Sequence, residues 1–154
     1  ILLIGVIATV GEDAYSVTYR TMWYACLWAP FGALMRWKLG NLNGKLPNEW
    51  KWLPLGTLSA NVIASLVSIS MIALDYRRIE NGDGVNESFW IAGTMRAVKT
   101  GFAGCLSTVS TWIAEVAVLM KTSHQHGKGY LYVLITLGLS CAFSVLVYGC
   151  VVYL

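Results

Sequence analysis

The stretch Gly101-Phe102-Ala103-Gly104-Cys105-Leu106-Ser107-Thr108-Val109-Ser110-Thr111-Trp112-Ile113-Ala114-Glu115 decides how this chain is read. It lies within an apolar window, Ala97–Met120, long enough for the roughly 20 residues a helix needs to cross a hydrocarbon core. Yet small and hydroxylated residues crowd it. Ser107, Thr111 and Glu115 are spaced by four and line one helical face, while Thr108 and Trp112 share the neighbouring one. Hydroxyls gain little against lipid, so a polar ladder at this depth faces protein or water. Gly, Ala, Ser and Thr also let helices approach closely, and helix–helix packing is the plain alternative for most of these positions. Glu115 shifts the balance, because a carboxylate inside a membrane is costly and points to function. Gly101 and Gly104 beside the hydroxyl run make this a place for a helix to break. A broken helix at membrane depth exposes carbonyls that suit a small cation and amides that suit an anion.

Working outward, three further windows have spanning character: Met22–Leu39, with Pro30, Arg36 and Lys38; Leu53–Leu74, without charge; and Tyr130–Leu154, also uncharged. Continuous apolar runs of this length do not alternate as barrel strands must. The 154 residues are 56% hydrophobic and only 12% charged, against about 25% charge in an ordinary soluble domain. Mean hydropathy is +0.60. The expectation is an all-α membrane protein of four transmembrane helices with a break in the third. A formal charge of +3 is too small to imply a nucleic-acid partner. No phosphate loop and no nucleophile–base pair stand out, which argues against an enzyme. Residues 1–10 are apolar without a basic flank, unlike a signal peptide. They read as the end of a preceding helix, dividing the chain into residues 1–21 and a four-helix unit over 22–154.

The connections are polar: Gly40–Trp52, with Trp50 and Trp52 where an interfacial belt would sit; Asp75–Arg96; and Lys121–Gly129. Basic residues divide almost evenly between the two sides, so the positive-inside rule leaves orientation undecided. Asn86-Glu87-Ser88 is a glycosylation sequon in the longest loop. Cys26, Cys105, Cys141 and Cys150 fall inside spans without metal or redox spacing and read as small apolar residues. His124 and His126, two apart, belong to a solvated turn. In the second span Asn61 must find partners, and its amide can donate to an anion or simply bond a neighbouring helix.

Three stretches, in order, resemble one family, the Fluc or CrcB fluoride channels and their fused eukaryotic form, the FEX fluoride exporters. Phe31-Gly32-Ala33-Leu34-Met35-Arg36 resembles the Gly-Ala-x-x-Arg end of the family's first helix. Leu53-Pro54-Leu55-Gly56-Thr57 through Asn61 is similar to Pro-x-Gly-Thr-x-x-x-Asn. Gly101-Phe102-Ala103-Gly104 through Glu115 resembles Gly-Phe-x-Gly-x-Leu-Thr-Thr-Phe-Ser-Thr-Phe-x-x-Glu. The resemblance covers about residues 22–154.

It implies a passive channel of the plasma membrane that exports fluoride through a site formed between two inverted repeats. This chain is most like the second repeat of the fused form, which matches the even charge balance. Asn61 would line the anion path, with Thr108, Ser110 and Thr111 as its hydroxyl track. Gly104 and Ser107 would offer backbone carbonyls to a structural sodium ion shared with the other repeat. Val109 and Trp112 occupy the two positions where the family has Phe, whose ring edges face fluoride. Val109 has no such edge, whereas Trp112 keeps one and adds an N–H. Tyr132 and Thr136 resemble the Tyr and Ser of the last helix. Arg36 and Glu115 would be the charges at the pore ends, and Ala64 and Ser68 stand at family glycines. Two other readings remain at this point: a dual-topology, ion-coupled small-molecule exporter with Glu115 titrating, and a structural repeat that does not itself conduct.

Overall fold

The computed structural model describes residues 17–80, 89–121 and 126–153. The apolar residues 1–10, the sequon at Asn86 and His124 lie outside them, and so does the side chain of His126. The helices are α1 (Val17–Gly40), α2 (Leu55–Glu80), α3 (Phe89–Ala97), α4 (Gly104–Leu106), α5 (Val109–Lys121) and α6 (His126–Tyr153). A π-helical turn, Val98–Ala103, joins α3 to α4. No strand occurs among the described residues.

Local chemistry sets the ends of these helices. Past Gly40 the chain tightens into i→i−3 bonds, Asn41 N–H to the Lys38 carbonyl at 3.2 Å and Leu42 N–H to that of Leu39 at 2.9 Å. Gly44 then reverses it at φ +75°, a conformation that glycine adopts without steric penalty. Pro54 precedes α2 and its carbonyl takes the Leu58 N–H at 3.0 Å. A proline costs nothing there, because its missing N–H would have had no intrahelical partner.

α2 packs along α6, α1 packs on the third span, and α5 packs on α6. Two glycines let α1 and the third span touch through their backbones. A Cβ on Gly32 would overlap the Phe102 carbonyl, and one on Gly101 the Ala25 carbonyl. The same small-residue logic builds the middle of the bundle, where Ala60, Ala64, Ala103 and Leu106 are buried together. Toward the α1–α2 loop the core becomes bulky, with Leu53, Leu58, Leu119 and Tyr132 packed against Trp52 and Trp112.

Three helical stretches are long and apolar enough to cross a membrane: Leu55–Glu80, Ile91–Lys121 and Gly127–Tyr153. The expected first span forms a 24-residue helix but is too polar to join them. The helices also run past their apolar windows: α2 continues through Asp75, Arg77 and Arg78, and the third span begins at Phe89 rather than Ala97. Charges at a membrane surface end an apolar run without ending a helix. Cys26, Cys141 and Cys150, which read from sequence as small apolar residues inside spans, are exposed in this chain, and Cys105 is half-buried. An apolar residue in a spanning helix can face lipid as readily as protein, so hydropathy alone does not assign its face.

Candidate functional site

The third span is broken where its small and hydroxylated residues suggested. Ser107 is extended (φ −74°, ψ 153°) and separates α4 from α5. The side chains around it take over the backbone bonding. Asn61 on α2 presents Oδ1 to the Thr108 N–H at 2.8 Å. Thr108 then caps α5, its Oγ1 accepting the Thr111 N–H at 3.3 Å. In a continuous helix those two N–H groups would bond the carbonyls four residues back, Gly104 and Ser107. Both donors are diverted, so both carbonyls are left without their helical partners. Gly104 is also exposed, and nothing lies within 4 Å of where its Cβ would stand.

Beside the break opens a cavity of about 530 Å³. Arg36, Asn43, Thr57, Cys105, Thr108 and Thr111 are among its lining residues. Arg36 Nη2 donates to Thr111 Oγ1 at 2.6 Å. Thr108 Oγ1 donates to the same oxygen at 3.1 Å and lies 3.4 Å from Ser110 Oγ. The expected track Thr108, Ser110 and Thr111 is therefore one hydrogen-bonded cluster, joined to Asn61 through the Thr108 amide. Among the described residues the Asn61 side-chain nitrogen has no hydrogen-bond partner.

One turn beyond Thr111, Glu115 gathers a second cluster. Thr57 Oγ1 donates to Oε1 at 2.6 Å, Tyr132 OH to Oε2 at 2.9 Å, and Asn43 Nδ2 to Oε1 at 3.4 Å. Arg36 and Glu115 thus meet the same helix one turn apart. Thr136 is buried too, but its hydroxyl donates to the Tyr132 carbonyl at 2.8 Å within α6. Trp112 packs with Tyr132, ring centroids 6.4 Å apart and tilted by 59°, outside the 530 Å³ cavity. Its Nε1 is buried with no partner among the described residues. Val109, at the other Phe position, is 66% exposed.

Sequence reasoning passed over Asn43 and Thr57. Asn43 Oδ1 accepts from Gly56 N–H at 2.6 Å and Thr57 N–H at 3.3 Å, capping α2 from a loop residue. An asparagine beside Gly44 reads as turn chemistry, and nothing in its spacing announces a cap for a helix 12 residues later. Thr57 was legible in part, since it lies in Pro54-Leu55-Gly56-Thr57 at a helix start.

Residues 23–149 match the family described as CrcB-like protein, Camphor Resistance (CrcB). The chain is 33% identical over 130 residues to fluoride export protein 1 of Neurospora crassa, covering 84% of this chain and 22% of that one. It is 33% identical over 120 residues to fluoride export protein 1 of Candida albicans, covering 77% of this chain and 30% of the other. With the fluoride-specific ion channel FluC of Albidiferax ferrireducens it shares 37% identity over 105 residues, 68% of this chain and 70% of that protein. The chain therefore spans less than a third of the length of these two fungal relatives but more than two thirds of the bacterial one.

Proposed function

This chain belongs to the CrcB-like family, and from that premise we propose that it supplies one repeat of a fluoride-selective passive channel. The observation that carries the reading is the side-chain-capped break at Ser107–Thr108, which frees polar groups inside a span without unfolding it. Fluoride is small and strongly hydrated, so a path must replace its water with several donors. The Asn61 amide, the Thr111 and Ser110 hydroxyls and the Trp112 Nε1, which has no partner among the described residues, are such donors. None carries a fixed charge that would trap the ion, and conduction requires release as well as binding. Arg36 lines the adjoining cavity and draws anions toward it, while its bond to Thr111 restrains the guanidinium.

The carbonyls of Gly104 and Ser107, left by their helical donors, fit a sodium ion, a hard cation of the kind that oxygen ligands hold. When bound, such an ion supplies positive charge at the break and a ligand shell that a second repeat completes. The second repeat, inverted relative to this one and in the same polypeptide, is supported by the short share of the fungal relatives that this chain matches. The plasma membrane is the setting in which such a channel drains fluoride that entered as neutral acid. Val109, exposed and aliphatic where the family has a ring, favours a second reading in which this repeat mainly supports the conducting path.

Fluoride efflux from liposomes holding the full-length protein, compared with chloride efflux, tests the proposal. Selective fluoride efflux that falls in Asn61→Asp is the expected result. Equal fluoride and chloride rates, or none, overturn it. Normal flux in Asn61→Asp together with Trp112→Phe moves conduction away from this repeat.

A further inference from the structure

Two spaces meet at the capped start of α2. The 530 Å³ cavity carries Arg36, and a neighbouring groove of about 310 Å³ carries Glu115. Thr111 lines both, whereas Glu115 lines only the groove. Asn43 and Thr57 line the cavity and stand between it and the carboxylate. Asn43 acts on Glu115 by two routes, donating to Oε1 directly at 3.4 Å and to Thr57 Oγ1 at 3.4 Å, which itself donates to Oε1 at 2.6 Å. Its own Oδ1 is fixed by the Gly56 and Thr57 amides. Gly56 permits this approach, because a Cβ there would stand 2.7 Å from that oxygen and overlap the Leu39 carbonyl.

We propose that Asn43 is a positioning residue that keeps the Glu115 carboxylate on the groove side, so that the cavity presents Arg36 without a competing negative charge. The proposal rests on the channel reading for its consequence, since an anion would enter past Arg36. A carboxylate released into the cavity would cancel the guanidinium's field over the few ångströms where it acts. Without the Asn43 donor, Thr57 and Tyr132 still hold Glu115, but the carboxylate loses one of its two tethers on the cavity side and Thr57 loses the amide that orients it.

The test uses the full-length protein and two readouts. Cys105 lines the same cavity and is a free, half-buried thiol, so its modification rate by anionic and cationic methanethiosulfonates, followed peptide by peptide, reports the local charge. Asn43→Ala is expected to lower the anionic-to-cationic rate ratio about tenfold, about 1.4 kcal/mol divided between two reagents of opposite charge, or about 0.7 kcal/mol per unit charge. In a Glu115→Gln background the same change should leave the ratio within twofold. Fluoride efflux should show the same dependence, with the Asn43→Ala loss shrinking once the carboxylate is gone. Asn43→Ser, which retains a capping oxygen, replaces the alanine variant if that protein does not survive purification. An unchanged ratio, or an equal fall in both backgrounds, overturns the proposal and leaves Asn43 as a helix cap alone. An unreactive Cys105 in the unaltered protein overturns it as well, because the cavity would then not be open to water. If that protein passes no fluoride, the channel reading fails, while the thiol ratio still decides what Asn43 does.

Discussion

Asn61 serves two purposes through the two ends of one amide. Its oxygen satisfies the Thr108 N–H that the helix break would otherwise strand, and its nitrogen remains a donor. Aspartate keeps the acceptor but exchanges the amide donor for a carboxylate, which when ionised also repels an anion. Asn61→Asp is expected to insert and fold yet lose more than tenfold in fluoride efflux. Asn61→Ala should lose the flux and also about 1 kcal/mol of stability, the usual net worth of one intramolecular hydrogen bond. Thermal unfolding in detergent and liposome efflux measure the two parts. Trp112 poses the opposite question, since its Nε1 is buried and unpaired among the described residues, a state that costs about 1–3 kcal/mol where nothing offsets it. If that N–H waits for an anion, Trp112→Phe should stabilise the protein by about 1 kcal/mol, within that range, and lower fluoride efflux severalfold. Stabilisation with unchanged efflux would make Trp112 a packing residue of the Tyr132 cluster. Val109→Ala, at a side chain 66% exposed, should change stability by less than about 0.5 kcal/mol.

At the scale of elements, the contact between α1 and the third span depends on two missing Cβ atoms. Gly32 and Gly101 bring backbone against backbone, and the carbonyls they approach cannot turn aside as a flexible side chain could. Gly101→Ala should destabilise the protein by at least about 2 kcal/mol, near the middle of the range for overpacking. Gly138→Ala, in α6 with nothing within 4 Å of its Cβ position, should be neutral or stabilising by up to about 1 kcal/mol through helix propensity. Equal melting temperatures for the two variants would contradict this packing. These elements were also unevenly legible. The second, third and last spans and the break at Ser107 could be read from hydropathy and from a hydroxyl run beside glycines, because both signals are local. The expected first span is a helix, α1, but Pro30, Arg36 and Lys38 in its second half leave its hydropathy below that of the other three. The clamp of Asn43, Thr57 and Glu115 escaped altogether, since it joins residues up to 72 positions apart through single hydrogen bonds. Spacing along a chain carries no record of such a contact.

For the whole molecule, the surface that carries the break is open in this chain, and under the proposed reading a second repeat would cover it. Gly104 is exposed there, and Val109, Ile113 and Val118 leave one side of α5 uncovered, each more than half exposed. An ion held by the Gly104 and Ser107 carbonyls would bridge that surface to a second repeat, so its binding should stabilise the assembled protein and not merely its transport. Ligand linkage sets the scale: at 100 times the dissociation constant, bound ion adds about 2.7 kcal/mol. The full-length protein transferred from sodium to N-methylglucamine salt at constant ionic strength should therefore melt several degrees lower and recover along a saturable sodium titration. Ser107→Ala should leave that titration unchanged, because the proposed ligand is the backbone oxygen and not the hydroxyl. Lithium and potassium separate a fitted site from general salt effects, which would treat the three ions nearly alike. A melting temperature indifferent to which cation is present would remove the ion from the break, and the two carbonyls would then need their partners from water or from the second repeat itself.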